Sequence, residues 1–419
     1  MSTPTTLAPT PRFHEKREAL LSAAAQQFNL LGVRGATLAG IGAQVGLATN
    51  SVTYYYRKKE DLALACNLRS IAAIDDWLAD AARQPTVAQR VQRFFALQSE
   101  HLGRIEAAEQ PQLVHFNDIR ALPSPKVDQV FAAYTDMFRH LRALVSGPET
   151  AGLSRPALNA RAHLLLSVSH WMRAWIVRHE ADEYPRVARR VADILLHGVA
   201  APGAAWQAAD AADLRWNLAR GGDTDPSGPG DAFLRAATTL VNEQGYRGAS
   251  VAKISARLNV TKGSFYHHHD KKRDLISACF ERSFDVMRRA FRLAEDSPGR
   301  GFDRACAAAR ALVRFQCSDQ GPLLRSTATS AVPDPDQRQR VRRTMDQLTE
   351  RMGCVLVDAL VDGSVRPLDS HIAAQGLVAM INAAAELQRW VPGVDSDSAM
   401  GLYVRPAFLG LLCEPESGA

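Results

Sequence analysis

Several signatures that commit a chain to one chemistry are missing. The six cysteines, Cys66, Cys279, Cys306, Cys317, Cys354 and Cys413, lie far apart, with no Cys-x-x-Cys pair and no Cys/His quartet at zinc-like spacing, so neither a zinc module nor a disulfide framework is expected. No run of about 18 apolar residues occurs, and Met1 to Pro11 has no basic patch followed by an apolar stretch. A cytoplasmic protein without a membrane anchor is the expectation. The phosphate-binding, dinucleotide-binding, nucleophile-elbow and zinc-protease motifs are all absent, and strand-like alternation is missing too. The usual α/β enzyme scaffolds are thereby excluded, and no catalytic residue, cofactor or metal is expected. Charge of one sign is also scarce: 50 Lys and Arg against 44 Asp and Glu give +6, so affinity for a polyanion must come from clusters.

What is present is length and repetition. The 419 residues, 46% hydrophobic, suit two to four domains. Setting Gly32 to Leu62 over Gly245 to Leu275 needs no gap and matches 12 of 31 positions, among them Arg34/Arg247, Ile41/Ile254, Ser51/Ser264, Lys59/Lys272 and Leu62/Leu275. Random pairing at average composition gives roughly two. Downstream, Ala121-Leu-Pro-Ser-Pro125 answers Ala331-Val-Pro-Asp-Pro335, and the Trp171 to Trp175 segment answers one ending at Trp390. The whole chain reads as a duplication.

Each copy begins with an amphipathic helix: Leu20, Leu21, Ala24, Phe28 and Leu31 in the first, Phe233, Ala236, Ala237, Leu240 and Val241 in the second. Gly32 and Gly245 follow where a left-handed C-cap is expected, and Thr37 and Ser250 offer N-cap hydroxyls. A short helix (38–45; 251–258), a tight connection through Gly46-Leu47 or Asn259-Val260, and a second short helix from about Thr49 or Lys262 complete a helix-turn-helix.

These strings resemble the TetR-type repressors: Gly32-Val-Arg-Gly-Ala-Thr37, Val45 to Tyr56 and Lys59-Glu-Asp-Leu62, against Gly245 to Ser250, Leu258 to His269 and Lys272-Arg-Asp-Leu275. Thr53 stands where the family has a recognition-helix Tyr, which survives as Tyr266, and His269 where it has Phe. The resemblance implies an all-α fold of two tandem units, each a three-helix reading head followed by a helical ligand-binding and dimerising domain. The expected boundaries are 12–62 and 63–200, a linker at 201–230, then 231–275 and 276–413. It further implies that Thr49, Asn50 and Thr53 face bases in the first head, and Lys262, Gly263 and Tyr266 in the second. The phosphate contacts would be Thr37, Tyr54, Tyr55 and Lys59, then Ser250, His267, His268 and Lys272. Both lysines stand where the fourth helix begins, so its backbone N–H groups add to their attraction for phosphate. His267-His268-His269 could instead be a metal tract, but it lies in register with Tyr54-Tyr55-Tyr56. Tyr56 is expected in the core.

The long helical stretches downstream are the expected regulatory domains. Their last two helices, near 157–178 with 185–199 and 370–390 with 396–412, carry broad apolar faces that can pair as a four-helix bundle. The expectation is an intrachain pseudo-dimer on a double-stranded DNA operator, with further association of two chains left open. Candidate lining for an inducer pocket is His115, Phe116, His163, His170, Trp171 and Trp175 in the first half, and Phe315, Met380, Asn382 and Trp390 in the second. Core packing is the competing reading of each, since aromatic stripes at helical spacing usually are core. In the linker, Gly221 to Gly230 is expected to be mobile and the stretch from Trp206 to Leu218 to dock as a short helix. The functional expectation is a repressor relieved by a small molecule, against the alternative of a nonspecific architectural DNA binder.

Overall fold

A computed structural model describes residues 11–204, 206, 229–260, 272–332 and 334–414. The first copy runs α1 (Pro11–Gly35), α2 (Leu38–Gln44), α3 (Thr49–Tyr55), α4 (Lys59–Ala81), α5 (Val87–Glu106), α6 (Lys126–Leu144), α7 (Arg155–Trp175) and α8 (Tyr184–His197). The second runs α9 (Pro229–Gly248), α10 (Val251–Arg257), α11 (Lys272–Glu295), α12 (Gly301–Cys317), α13 (Pro335–Val361), α14 (Ser370–Ala383), α15 (Leu387–Trp390) and α16 (Arg405–Leu409). Among the described residues there is no strand, only an isolated antiparallel bridge between Ala200 and Val365. The fold is all-α. The second short helix of the second head, the tract His267-His268-His269 and the linker from 207 to 228 lie outside the described residues.

The repeated sequence gives repeated local structure. Leu20, Leu21, Ala24 and Phe28 are buried along α1, and Phe233, Ala236, Ala237, Leu240 and Val241 along α9. Leu31 departs from the expected face and is 48% exposed, because the helix breaks immediately after it. Gly32 and Gly245 sit at φ 69° and 70° with ψ 165° and 164°. The positive φ is as expected of a C-cap, but the extended ψ is open essentially to glycine alone. Thr37 Oγ1 then accepts from the Gly40 N–H at 3.0 Å and Ser250 Oγ from the Lys253 N–H at 3.3 Å, so both predicted N-caps form. Ile41 and Ile254, one residue of each pair, close the small core of the head with no exposed surface.

The chain divides into two compact units. The first combines Met1–Asp75 with Ala108–Met137; in it α1 packs on α2, α2 on α3, and the 3₁₀ turn Phe116–Ala121 on α1. The second combines Asp76–Ala107 with Phe138–Ala419. Here α5 lies along α8, α11 on α12, α12 on α13, α13 on α14, and α14 meets both α7 and α8. The expected helix over 370–390 is interrupted by a 3₁₀ turn at Ala384–Glu386, and the one over 396–412 is a wide π turn, Met400–Val404, followed by the short α16. Pro406 has no N–H to return to residue 402, which favours the looser turn before it.

Inside the second unit, segments from the two sequence copies exchange like for like. The Val199 N–H donates to the Phe408 carbonyl at 2.8 Å, and the Leu411 N–H donates to the Leu195 carbonyl at 2.8 Å. Gly198 (φ +68°) and Gly410 (φ +95°) end α8 and α16 at this crossing. A Cβ on Gly198 would lie 2.2 Å from the Phe408 oxygen, and one on Gly410 would lie 2.2 Å from the Leu196 oxygen. The buried Arg161 of α7 donates from Nε to the Leu411 carbonyl at 2.7 Å and from Nη2 to the Cys413 carbonyl at 2.8 Å. Trp390 stacks on Phe138 with ring centres 3.8 Å apart, and its carbonyl accepts from Asn159 Nδ2 at 2.8 Å.

One small apolar cavity, about 20 Å³, lies where α7, α8, α14 and α16 meet, lined by Leu164, Val168, Trp175, Gly376 and Ala407 among others. A Cβ added to Gly376 meets nothing within 4 Å. Gly376→Ala is therefore expected to stabilise the protein by about 1 kcal/mol, from helix propensity and a partly filled void, measured by denaturant unfolding.

Candidate nucleic-acid interface

In the first head, α3 presents its N-terminal turn outward: Thr49 and Asn50 are exposed, Thr53 is half-buried, and Val52 on the opposite side is fully buried. The Thr53 hydroxyl donates to the Asn50 carbonyl at 2.8 Å, leaving its oxygen lone pairs and methyl for a partner. None of α3 is charged, so whatever it reads is read by amide, hydroxyl and methyl groups. Tyr54 is 76% exposed; Tyr55 packs on Phe13 of α1 with ring centres 4.8 Å apart, and Tyr54 meets Tyr55 edge-on at 5.3 Å. The aromatic run thus alternates outward and inward, and Tyr56 is buried as expected. Burial pushes the Tyr56 phenol up, opposed by the Arg17 guanidinium.

Lys59 opens α4 and donates from Nζ to the Ala36 carbonyl at 2.8 Å and to the Arg34 carbonyl at 3.3 Å. The ammonium is thereby held at the end of the α1 segment beside Thr37, with one of its three N–H groups left over. Thr37 is exposed; its oxygen caps α2 while its O–H stays available as a donor. Thr37 and Lys59 come together on one edge of the head, a suitable seat for a phosphate.

In the second head, Ser250 caps α10 as Thr37 caps α2, and Lys272 opens α11 as Lys59 opens α4. Lys262, Gly263, Tyr266, His267 and His268 lie outside the described residues. Two further cations on α10 have no counterpart in α2, where Gly40 and Gln44 stand. Lys253 Nζ donates to Gln244 Oε1, and Arg257 pairs with Glu243 at 3.3 Å, which offsets part of the added positive charge.

The candidate inducer-lining residues are spread over both units. In the first, the His115 N–H donates to Asn29 Oδ1 at 2.8 Å and Phe116 meets Tyr134 edge-on at 5.0 Å. In the second, several lie at the contact between sequence copies. His163 Nε2 faces the Ala383 carbonyl at 3.0 Å with its ring stacked on Tyr403, and Trp171 Nε1 donates to Gln375 Oε1 at 2.9 Å. Trp175 lines the small cavity, Met380 is buried with its carbonyl accepting from the Tyr403 hydroxyl at 3.2 Å, and Trp390 stacks as described. Phe315 packs under the Arg282 guanidinium, while His170 and Asn382 are half-buried.

Burial holds the His163 imidazole below its ordinary range, against the contrary effect of its bond to the Ala383 carbonyl. The unfolded chain takes up this proton below about pH 6.5 and the folded chain resists it, so stability is lost as pH falls through that region. His163→Gln, which keeps a donor for Ala383, is expected to flatten the decline in thermal midpoint between pH 7.5 and 5.5 relative to wild type.

Sequence reasoning missed a second set of residues. Asn29, Arg69 and Ser70 hold the extended segment 112–115 against α1 and α4, and Asn242, Arg282 and Ser283 hold 320–325 against α9 and α11. The signal was available: Asn29/Asn242, Cys66/Cys279, Arg69/Arg282 and Ser70/Ser283 keep the same offset as the repeat, just outside its compared window.

The profile of the bacterial regulatory proteins of the tetR family matches twice, at residues 20–66 and 233–279, the two heads just described. The chain carries the tetR-family domain twice, in tandem. A 56-residue stretch of the chain is similar to the transposon Tn10 TetC protein of Escherichia coli, 41% identical, which is 13% of this chain and 28% of that protein. A 57-residue stretch is similar to IcaR of Staphylococcus epidermidis, the HTH-type negative transcriptional regulator of the biofilm operon icaADBC, 33% identical, 14% of this chain and 31% of that protein. The alignments thus span under a third of either relative. Solved structures with similarity to part of the chain include apo AibR (18% identity, 45% of this chain and 99% of that one, TM-score 0.35). The ketosteroid regulator KstR2 of Mycobacterium tuberculosis is another (16%, 43% and 94%, TM-score 0.38). Among the described residues, no helix is long and apolar enough to cross a membrane and no group of three His, Cys, Asp or Glu could hold a metal ion.

Proposed function

We propose that the chain is a DNA-binding transcriptional repressor that grips one operator with both of its heads and is released by a small-molecule inducer. The observation that carries the reading is the like-for-like exchange at Val199/Phe408 and Leu411/Leu195. In a symmetric dimer, residue i touches j and j touches i across the axis; here both partners belong to one chain, as an intrachain pseudo-dimer requires. Two tetR-family domains on that chain supply the pair of heads. The sign of regulation follows IcaR, named as a negative regulator.

Unlike heads have a consequence for the site they bind. Thr49, Asn50 and Thr53 stand where the second copy has Lys262, Gly263 and Tyr266, so the operator should consist of two different half-sites rather than a palindrome. Selection of bound duplexes from a random pool, followed by footprinting, tests this. An asymmetric site protected by one chain is expected, with affinity about a thousandfold or more above that for unrelated DNA at physiological salt. Equal binding to all sequences would identify an architectural DNA binder instead.

A further inference from the structure

We propose that Asn29 and Asn242 are positioning residues that lock each head to its own regulatory segment and so set the angle at which the head meets DNA. The proposal rests on the reading of both heads as DNA grips.

In the first copy, Asn29 near the end of α1 donates from Nδ2 to the Leu113 carbonyl at 2.9 Å, and its Oδ1 accepts from the His115 N–H at 2.8 Å. In the second, Asn242 of α9 donates to the Leu323 carbonyl at 2.9 Å and accepts from the Arg325 N–H at 3.1 Å. Each amide binds residues i and i+2 of an extended segment as a neighbouring peptide group would, so both donor and acceptor are fixed and the segment cannot slide. The residue between the two is held from the other side: the Val114 N–H donates to Ser70 Oγ at 2.9 Å, and the Leu324 N–H to Ser283 Oγ at 2.8 Å. Immediately before each serine, Arg69 Nη2 reaches the Gln112 carbonyl (3.1 Å) and the side chain pairs with Glu18, while Arg282 Nη2 reaches the Gln320 carbonyl (2.7 Å) and the side chain pairs with Asp231. The whole clasp therefore occurs twice, although α5 and α12, which precede the clasped segments, share little sequence. Ordinary packing between head and body tolerates many apolar substitutions; a two-point amide bridge kept in both copies fixes orientation.

In the second copy the clasp extends further. Arg325 pairs with Glu386, and Gln316 accepts from the Leu323 N–H at 2.8 Å while donating to the Ile381 carbonyl at 2.9 Å. Ile381 and Glu386 flank Ala383, whose carbonyl faces His163 of the first copy. A shift in this part of the second unit thus reaches the α9 head through hydrogen-bonded groups.

The test uses the full chain with Asn29→Ala and Asn242→Ala, and Asn242→Asp as a milder variant that keeps the acceptor and loses the donor. Spin-label distances are measured without DNA, in a background with Cys317, Cys354 and Cys413 replaced by Ser, between Ala39→Cys and Ala132→Cys and between Ala252→Cys and Arg342→Cys. Each Asn→Ala variant is expected to broaden the distance distribution in its own copy only. With DNA, wild type should lose about tenfold or more in affinity when one base pair is inserted between the half-sites of its selected duplex, and the variants about threefold or less. Unchanged distance distributions would overturn the proposal, whatever the DNA result. So would broadened distributions with wild-type spacing discrimination, or an equal loss on both duplexes. A wild type that selects no duplex would sink the DNA reading alone, the label distances still deciding whether the clasp holds the head.

Discussion

Replacing Lys59 and Lys272 together by Ala is expected to weaken duplex binding by on the order of a hundredfold or more, while the heads stay folded. Each lysine opens the fourth helix of its copy, where positive charge and free N–H groups coincide. A charge-assisted hydrogen bond contributes about 1.5–3 kcal/mol, so two of them give about 3–6 kcal/mol. The salt dependence gives a second readout: with two fewer phosphates neutralised, the slope of log K against log salt should flatten by about 1.8. Lys59 also ties the exposed Arg34 carbonyl and the carbonyl of the fully buried Ala36 to α4. That loss should cost about 1–2 kcal/mol of stability. A thermal scan of the single Lys59→Ala variant separates the two effects: a small shift with a large affinity loss identifies the phosphate role.

The largest stability effect is expected at the crossing of α8 and α16. In Gly198→Ala or Gly410→Ala, the new Cβ would sit 2.2 Å from a carbonyl oxygen of the opposite segment, at a φ that side chains avoid. Backbone strain costs about 1–3 kcal/mol, and relieving the clash separates the segments and loses the paired bonds at Val199 and Leu411, about 1 kcal/mol each. The sum, about 3–5 kcal/mol, is a large share of a domain's usual 5–15 kcal/mol. Gly203 serves as the control: it has φ +83° but open space around its Cβ position. Gly203→Ala should show the strain without the clash, and denaturant midpoints for the three variants resolve one from the other. If Gly198→Ala is no less stable than Gly203→Ala, the close approach contributes nothing.

Local features were the most legible in the sequence. Gly32 and Gly245, the caps at Thr37 and Ser250, and the buried faces of α1 and α9 all follow from rules acting within one or two turns, and a second copy confirmed each. Where the outcome depends on distant partners, the pattern was weaker. Leu31 fits the apolar spacing but lies beyond the point where the helix stops covering its core. The helix over 396–412 has the right period, yet Pro406 and the crossing with α8 convert Met400–Val404 to a π turn. His163, Trp171 and Trp390 stood out as aromatic candidates without any indication that they meet groups about 200 residues away. Asn29 and Asn242 escaped notice for a different reason: a polar residue late in an amphipathic helix looks solvated until its backbone partner, more than 80 residues on, is in place.

The central claim, that one chain reads one asymmetric operator with two different heads, is tested most directly by native mass spectrometry of the protein on its selected duplex, with footprints of wild type and of Asn50→Ala on the same DNA. The account predicts one chain per duplex, two protected half-sites of different sequence, and Asn50→Ala weakening contacts in one of them only. Two chains on a perfect palindrome, with Asn50→Ala weakening both half-sites equally, would contradict it.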